Sequence, residues 1–462
     1  MYTVFDEKNK QNKGLPMRET RTVQTSIFDF YSKHEFGSQL ENLSDLLDEH
    51  PEILSLVAAD LKDASCNNSG RHGLSIESIF RCLLLKQILQ ISYEKLAFYL
   101  SDSLTYRTFT RLKVKESPRK SVLQSTIRQI KPETLEAVYY ELATSAFDAG
   151  ECYADVLRID STVVKSNIAT PSDSQLLDDA VRVMSRCLAK SAANTDVKIR
   201  FKDNRKKSKA LARCIFYAKN KEKAVLYPKL LRVVKRLTKQ VDRAIARVQG
   251  SATTSDRCDT WLKNLMHYRA LTEKIIDQAE RRVIKKEMVP STEKIVSLFE
   301  SHTDIIIKGN RDIDFGHKIN LATDTRGLVT GFTIEMGNPS DTERYLPMLE
   351  GHERLYGELP NTVVADGGYA SQANVKAGKA LGVKRVVFHK KKGITLKAMG
   401  VQQKTYDKLK GFRAGIEGNI SELKRAFGLG KVTWKGQDGF GAYVFSSIIS
   451  YNLMRLARFD TG

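Results

Sequence analysis

Three acidic residues stand where a pair of divalent metal ions could be held. Asp160 lies within or at the end of a strand-like run, Asp366 directly follows a short apolar run, and Glu417 lies in a long helical pattern. Mg²⁺ takes oxygen ligands and leaves positions for substrate phosphate oxygens. Two such ions about 4 Å apart can activate the attacking oxygen and stabilise the leaving oxygen of an in-line displacement. The residue types therefore predict phosphoryl transfer with two Mg²⁺ ions, which Mn²⁺ could replace, and with Asp160, Asp366 and Glu417 as metal ligands and catalytic residues.

Two cations accompany the third acid. Arg413, Glu417 and Lys424 form an R-x3-E-x6-K pattern, and at about 100° per residue the three side chains lie within about 40° on one face of a helix. A metal ligand is thus expected between two positive charges, on a surface that attracts a phosphate backbone.

The elements that must position these acids are strands that alternate with helices. The predicted strands are 153–160, 317–323, 328–336, 362–365 and 383–388, with the second and third joined as a hairpin by the turn Asp324-Thr-Arg-Gly327. The predicted helices are 341–355, 370–381, 403–427 and 439–458. A hairpin followed by alternating strands and helices predicts an α/β fold with a mixed sheet covered by helices. Sites in such sheets form at strand ends, where Gly367-Gly368 lets the chain turn after Asp366.

Two helical regions flank or interrupt this predicted core. Residues 1–150 are predicted as a helical N-terminal DNA-binding domain, with helices at 75–89, 92–100, 105–112 and 121–130. A helical bundle without DNA contact is the alternative for this region. Residues 176–300 are predicted as a basic helical insertion domain. The core is then formed by 151–175 together with 301–462.

The positive charge of the chain is concentrated in the predicted insertion domain. The chain carries 75 Lys and Arg against 54 Asp and Glu, a net charge of +21, and residues 181–300 alone hold 30 of the former and 12 of the latter. Like charges at this density repel one another unless a polyanion neutralises them. We therefore expect DNA binding by this insert, with Arg236, Lys239 and Arg243 as contacts, although a solvated helical pair would have the same composition.

Several classes of protein are not favoured by the sequence. No apolar run reaches the 18 residues of a membrane span, and the polar stretch 1–13 is not typical of a secretory signal. Six cysteines without C-x-x-C spacing argue against a zinc site and against a disulfide framework. We expect a cytoplasmic protein without a membrane partner.

The motifs together resemble those of bacterial insertion-sequence transposases of the DDE type. The resemblance is carried by Asp160-Ser-Thr, the stretch 167–182 (NIATPSDSQLLDDAVR), Val364-Ala-Asp366-Gly-Gly-Tyr and the helix with Arg413, Glu417 and Lys424. It implies a ribonuclease H-like core, with helices on both sheet faces and a large helical insert after the first strand. It also implies a two-metal site, binding to transposon-end inverted repeats and to target DNA, strand cleavage and strand transfer, a homodimer in the synaptic complex, and association with the bacterial nucleoid.

The same resemblance assigns roles to individual residues. It implies that Asp160, Asp366 and Glu417 are the metal ligands and that Arg413 and Lys424 contact the DNA end. One position departs from the fuller signature of the family, in which a Tyr stands three residues before the Arg. This chain has Lys410 there, and Tyr406 lies one helical turn earlier.

Further DNA contacts are predicted from basic or aromatic residues near the expected site. They are Lys318 on the hairpin, Lys390, Lys391 and Lys392 after the fifth predicted strand, and Trp434, which could stack on an unpaired base. A core position for Trp434 and a solvated loop for the three lysines are the alternatives.

Three other functions remain open at the level of sequence. The same core could belong to a nuclease that cuts but never joins, or to a catalytically silent DNA-binding protein derived from a transposase. The basic insert could also bind RNA.

Overall fold

Helices occupy the N-terminal part of the chain up to the first strand. The computed structural model describes residues 31–61, 73–113, 115–251, 255–308, 312–390 and 392–459. The helices here are α1 (Glu35–Glu49), α2 (Glu52–Leu61), α3 (Ile76–Leu89), α4 (Tyr93–Asp102), α5 (Leu104–Phe109), α6 (Lys120–Ile127) and α7 (Pro132–Asp148). Ser75, Ser92 and Ser103 start three of them by accepting a hydrogen bond from the backbone N–H three residues later. The four helices predicted in this region are confirmed, whereas α1, α2 and α7 were not predicted.

A second group of helices follows the first strand and has its own hydrophobic core. It comprises α8 (Asp173–Ala189), α9 (Arg205–Tyr217), α10 (Asn220–Gln249) and α11 (Asp256–Ala279). On α10, Leu230, Val234, Leu237 and Val241 recur at three and four residues, and all four are buried in this core. The basic side chains of α10 therefore lie on its opposite, exposed face.

The sheet is open and mixed. Its strands are β1 (Val156–Lys165), β2 (Asp304–Lys308), β3 (Asp312–Thr323), β4 (Val329–Ile334), β5 (Thr362–Ala365) and β6 (Arg385–Phe388). They are arranged in the order β2-β3-β1-β5-β6, and β4 pairs with the second half of the long strand β3. The β1–β5 and β5–β6 pairs are parallel, and the other pairs are antiparallel. The predicted mixed sheet and hairpin are confirmed.

Two differences from the predicted strands affect the site and its surroundings. β1 continues to Lys165, so Asp160 lies in the middle of the strand and not at its end. Strand β2 was not predicted. It adds an edge beside the first half of β3, where Gly316 approaches β1 so closely that a Cβ atom would lie 2.0 Å from the carbonyl oxygen of Val164.

Helices pack against the sheet in two separate cores. The remaining helices are α12 (Asp341–Tyr356), α13 (Gln372–Leu381), α14 (Leu396–Met399), α15 (Gln403–Ala426) and α16 (Gln437–Phe459). On β3, Leu321 belongs to the core that contains α16 and the N-terminal helices, while the next residue, Ala322, belongs to the core with α12, α13 and α15. Because successive strand residues point to opposite faces, the sheet has helices on both sides, as predicted. The N-terminal helices share one continuous core with α16.

None of the described helices is both long and apolar enough to cross a membrane.

Candidate active site

The first two acids are neighbours because their strands are neighbours. Strands β1 and β5 are parallel, and Ile159 pairs with Ala365. Asp160 is the next residue of β1 and Asp366 is the first residue after β5, so the two lie side by side. Asp160 accepts a hydrogen bond from the backbone N–H of Ser161 at 2.8 Å and is largely buried.

Asp366 is held by the turn that follows β5. Its side chain accepts a hydrogen bond from the backbone N–H of Gly368, at 3.4 Å, and so caps the single helical turn Gly367–Tyr369. Gly367 is needed here because a Cβ atom would lie 2.9 Å from Cβ of Lys390. The close packing of this turn brings the stem of Lys390 next to the acid pair.

Glu417 lies on helix α15, which packs against β1, β5 and β6. Arg413 lies one turn earlier on the same helix and contacts Asp160 on β1. The side chain of Glu417 is 62% exposed, whereas that of Arg413 is 9% exposed. On this helix, Arg413 is therefore a buried cation and Glu417 is a carboxylate that is accessible to solvent.

One guanidinium contacts all three predicted catalytic acids. Nη2 of Arg413 donates to Oδ2 of Asp160 at 2.6 Å and lies 3.5 Å from Oδ1 of Asp366. Nη1 of Arg413 donates to Oε1 of Glu417. The three acids that the sequence predicted as one site are therefore brought together by the fold, with Arg413 between them.

The acids fit a divalent metal by residue type. Three carboxylates supply the hard oxygen ligands that Mg²⁺ and Mn²⁺ accept, and they already surround a positive charge. In this structure the carboxylate oxygens are arranged around the planar guanidinium of Arg413, and they do not converge on one position that an ion could occupy. Across the described ranges, no group of three or more His, Cys, Asp or Glu side chains is spaced to hold an ion. For these carboxylates to share an ion, they must turn away from Arg413 towards a common centre.

Tyr369 and Arg158, to which the sequence alone assigned no role, support this site. The hydroxyl of Tyr369 donates to Oδ1 of Asn320 on β3 at 2.7 Å. Burial, together with the charges of Asp341 and Asp160, raises the pKa of Tyr369 well above its usual value, so the phenol stays protonated and remains a donor. The position of Tyr369 directly after Asp366-Gly-Gly was the available signal in the sequence.

Arg158 connects β1 to the helix that carries Glu417. Its Nη2 donates to the carbonyl oxygen of Asp324 at 2.5 Å and to Oδ1 of Asn419 on α15 at 3.3 Å. Its guanidinium lies 4.6 Å from the centre of the Phe412 ring. An Arg between the apolar residues Leu157 and Ile159, two positions before Asp160, is the sequence signal that was not used.

Several predicted DNA contacts are corrected by their burial. Lys318 is buried and donates to the carbonyl oxygen of Pro339 at 2.6 Å and to Asp341 at 3.2 Å, so its charge is used inside the protein. Trp434 is 5% exposed and packs against Tyr443, which leaves no ring face for a base. Arg413 is occupied by the three acids and is not a free DNA contact in this structure.

The other predicted DNA contacts lie at accessible positions. Arg236, Lys239 and Arg243 are exposed along one face of α10, and Lys390, beside the turn that holds Asp366, and Lys392 are exposed as well. Lys424 is half-buried on α15. Lys391 lies outside the described residues.

Comparison with known protein families assigns the chain. Residues 307–453 match the family described as "Transposase DDE domain", and residues 28–129 match the family described as "Transposase domain (DUF772)". Together the two matches cover more than half of the chain. The chain belongs to the insertion-sequence transposases of the DDE type. No curated protein and no solved structure matches it.

The family assignment agrees with the fold of this transposase. Its mixed sheet, covered by helices and preceded by a helical region, is consistent with a ribonuclease H-like core. The DDE match contains Asp366, Arg413 and Glu417 but begins after Asp160 and after the basic helices α8 to α11. Transposases of this family act on DNA and generally use divalent metal ions.

Proposed function

We propose that this transposase binds the inverted repeats at the ends of its element as duplex DNA and catalyses strand cleavage followed by strand transfer into target DNA. In this proposal Asp160, Asp366 and Glu417 hold two divalent ions, Mg²⁺ or Mn²⁺. The observation that carries the proposal is the contact of all three acids with Arg413, although they come from β1, the end of β5 and α15. An ion pair that only stabilises the fold would need a single acid. Here three acids from distant segments meet around one Arg at a position that is partly open to solvent.

The chain's own residues would prepare the site for a phosphate backbone. Arg413 balances the charge of the carboxylates, and Glu417 leaves one side of the site open to solvent. The bound ions would activate the attacking oxygen and stabilise the leaving oxygen. Water attacks first, breaking a phosphodiester bond to leave a 3′-OH and a 5′-phosphate. That 3′-OH then attacks a target phosphodiester and displaces the target strand's own 3′-oxygen.

The exposed cations suggest where DNA would lie. The stem of Lys390 packs against Gly367, next to Asp366, Lys392 follows two residues later, and Lys424 lies on the same helix as Glu417. Arg236, Lys239 and Arg243 would bind duplex DNA along α10. We propose that the N-terminal helices contribute to recognition of the element's end and that a homodimer brings two ends together in the bacterial nucleoid.

The test is cleavage and joining of DNA that carries the ends of the element. Asp160→Asn, Asp366→Asn and Glu417→Gln should each lower cleavage by at least about 100-fold, because each removes a charged ligand while retaining the shape of the side chain. Binding to the same DNA should change little. Asp407→Asn is the matched control, since Asp407 is an exposed acid on α15 that accepts hydrogen bonds from Gln403 in its own helix.

A strand-transfer assay distinguishes the proposed transposase activity from that of a nuclease, which would cut DNA without joining it. Wild-type protein given an end that already has a free 3′-OH should join it to target DNA. Hydrolysis without joining would instead support the nuclease, and full activity in any acid variant would remove that acid from the site. Binding without metal-dependent cleavage by the wild type would support a catalytically silent DNA-binding protein.

A further inference from the structure

Two aromatic side chains at the end of α9 are unusually exposed. Phe216 is 72% and Tyr217 is 74% exposed, and their ring centres lie 5.1 Å apart at an interplanar angle of 87°. They form a small apolar surface at the turn between α9 and α10. Exposed apolar groups rimmed by polar residues commonly mark sites of interaction.

Neither ring is needed for the hydrophobic core of this region. Helix α9 packs inwards through Ser208, Ala212 and Ile215, which are buried. Phe216 and Tyr217 lie outside the hydrophobic core formed by α8 to α11. Folding therefore does not explain why two aromatic residues occupy these positions.

The surroundings of the pair are strongly basic. Helix α9 contains no acidic residue, and its cations are Arg205, Lys206, Lys207, Lys209 and Arg213. At about 100° per residue, Lys206, Arg213 and Tyr217 lie within about 40° on one face of the helix. No ion pair with a described residue engages Lys206 or Arg213. Lys219 and Lys221 follow in the turn and at the start of α10.

We infer that Phe216 and Tyr217 form a stacking site for unpaired DNA bases, with the neighbouring cations on the flanking phosphates. The inference rests on the proposed action of this transposase on DNA. Paired bases in a duplex hide their faces in the helical stack, whereas unpaired bases expose faces that aromatic rings can cover. A second copy of this chain, placed with the same surface against this one, is a poor occupant, because the cations of α9 and of the start of α10 on the two copies would face one another.

The test compares Phe216→Ala/Tyr217→Ala with wild type, each as the full chain. The probes are a short mixed-sequence DNA strand that carries a fluorescent adenine analogue, and the blunt duplex of the same sequence. The double variant should bind the single strand about 5- to 150-fold more weakly, with duplex affinity nearly unchanged, since one stacked base contributes on the order of 1–3 kcal/mol. Quenching of the analogue by wild type should be lost in the double variant.

Two further variants separate stacking from general apolar contact. Phe216→Leu/Tyr217→Leu keeps apolar side chains without ring faces and should behave like the alanine pair. Met288→Ala removes another exposed apolar side chain of the same region, one that is 92% exposed and has no ring, and should behave like wild type.

Several outcomes would overturn the inference. They are equal weakening for strand and duplex, full strand affinity in the leucine pair, and a change in oligomeric state without a change in strand binding. If wild type binds both duplex and single-stranded DNA and the double variant has the same two affinities, the stacking site is wrong and the proposed function is unaffected. If wild type binds no DNA, the proposed function itself fails.

Discussion

Nη2 of Arg413 lies 2.6 Å from Oδ2 of Asp160, although the two residues are separated by 253 positions in the chain. Both side chains are largely buried. The pair joins α15 to β1 at the place where the three predicted catalytic acids meet, so we expect Arg413 to affect the stability of the site and, in the proposed function, its affinity for metal.

Replacing Arg413 by Ala should destabilise the protein in the absence of metal and make it more responsive to metal. Loss of the cation leaves largely buried Asp160 without its partner, at a cost of about 3 kcal/mol. A divalent ion can then neutralise the acids without displacing a guanidinium, so Mg²⁺ should raise the Tm of the variant more than that of wild type. Thermal unfolding with and without Mg²⁺ measures this.

The control for this prediction is Arg455→Ala, because Arg455 is a partly buried arginine that pairs with a single acid, Glu422, away from the three catalytic candidates. Its response to Mg²⁺ should equal that of wild type. An equal Mg²⁺ response of wild type and Arg413→Ala would mean that Arg413 and the metal do not compete for the acids.

Arg158→Met should slow DNA cleavage without weakening DNA binding. Arg158 joins β1 to Asn419, two residues after Glu417 on α15. Without this contact Glu417 loses part of its support, and a displacement of about 1 Å at a reacting group can cost on the order of 100-fold in rate. Single-turnover cleavage with saturating DNA separates the two effects.

The same displacement should result from Gly415→Ala, because a Cβ atom at Gly415 would lie 2.0 Å from Nη1 of Arg158. Arg326→Met is the control, since Arg326 donates to Glu151 and Tyr153. Unchanged cleavage in both Arg158→Met and Gly415→Ala would show that this connection does not position Glu417.

The triple variant Arg236→Ala/Lys239→Ala/Arg243→Ala should weaken binding to duplex DNA at all sequences. Each cation that neutralises a phosphate releases a counterion, so losing three should make the slope of log affinity against log salt shallower by about 2–3. Fluorescence anisotropy over a salt series gives the slope. The control removes the same charge elsewhere, through Lys376→Ala/Lys384→Ala/Lys397→Ala, and an equal change in both slopes would assign the effect to net charge alone.

Acid should destabilise the protein partly through His352 on α12. Burial lowers the pKa of His352 from 6.5 to about 4. Between these values the unfolded chain binds a proton that the folded chain does not, so the free energy of unfolding falls as the pH drops from about 6.5 to about 4. The full loss from this group is about 3 kcal/mol.

His352→Phe should remove that part of the acid sensitivity, because a phenyl ring keeps the packing against Tyr356 and does not titrate. Urea unfolding at several pH values in this window measures the difference. His267→Phe, at an exposed position, should retain the wild-type pH dependence. The same pH dependence in wild type and His352→Phe would place the acid sensitivity in other groups.

The sequence by itself determined the local elements and the order of the acids. Helical spacing placed α3, α4 and α15, and the turn at Asp324 placed the β3–β4 hairpin, because these signals depend on residues near one another in the chain. The R-x3-E-x6-K spacing also placed Arg413 and Glu417 on one helix face, as the structure has them.

Only the tertiary structure decided which charged and aromatic side chains remain available to a ligand. Lys318 and Trp434 were expected at DNA, yet both are buried by segments distant in the chain. Arg413 was expected at the DNA end, yet it contacts acids from two strands as well as its own helix. Burial and ion pairing depend on which segments are in contact in the folded protein, and the local spacing of residues does not determine those contacts.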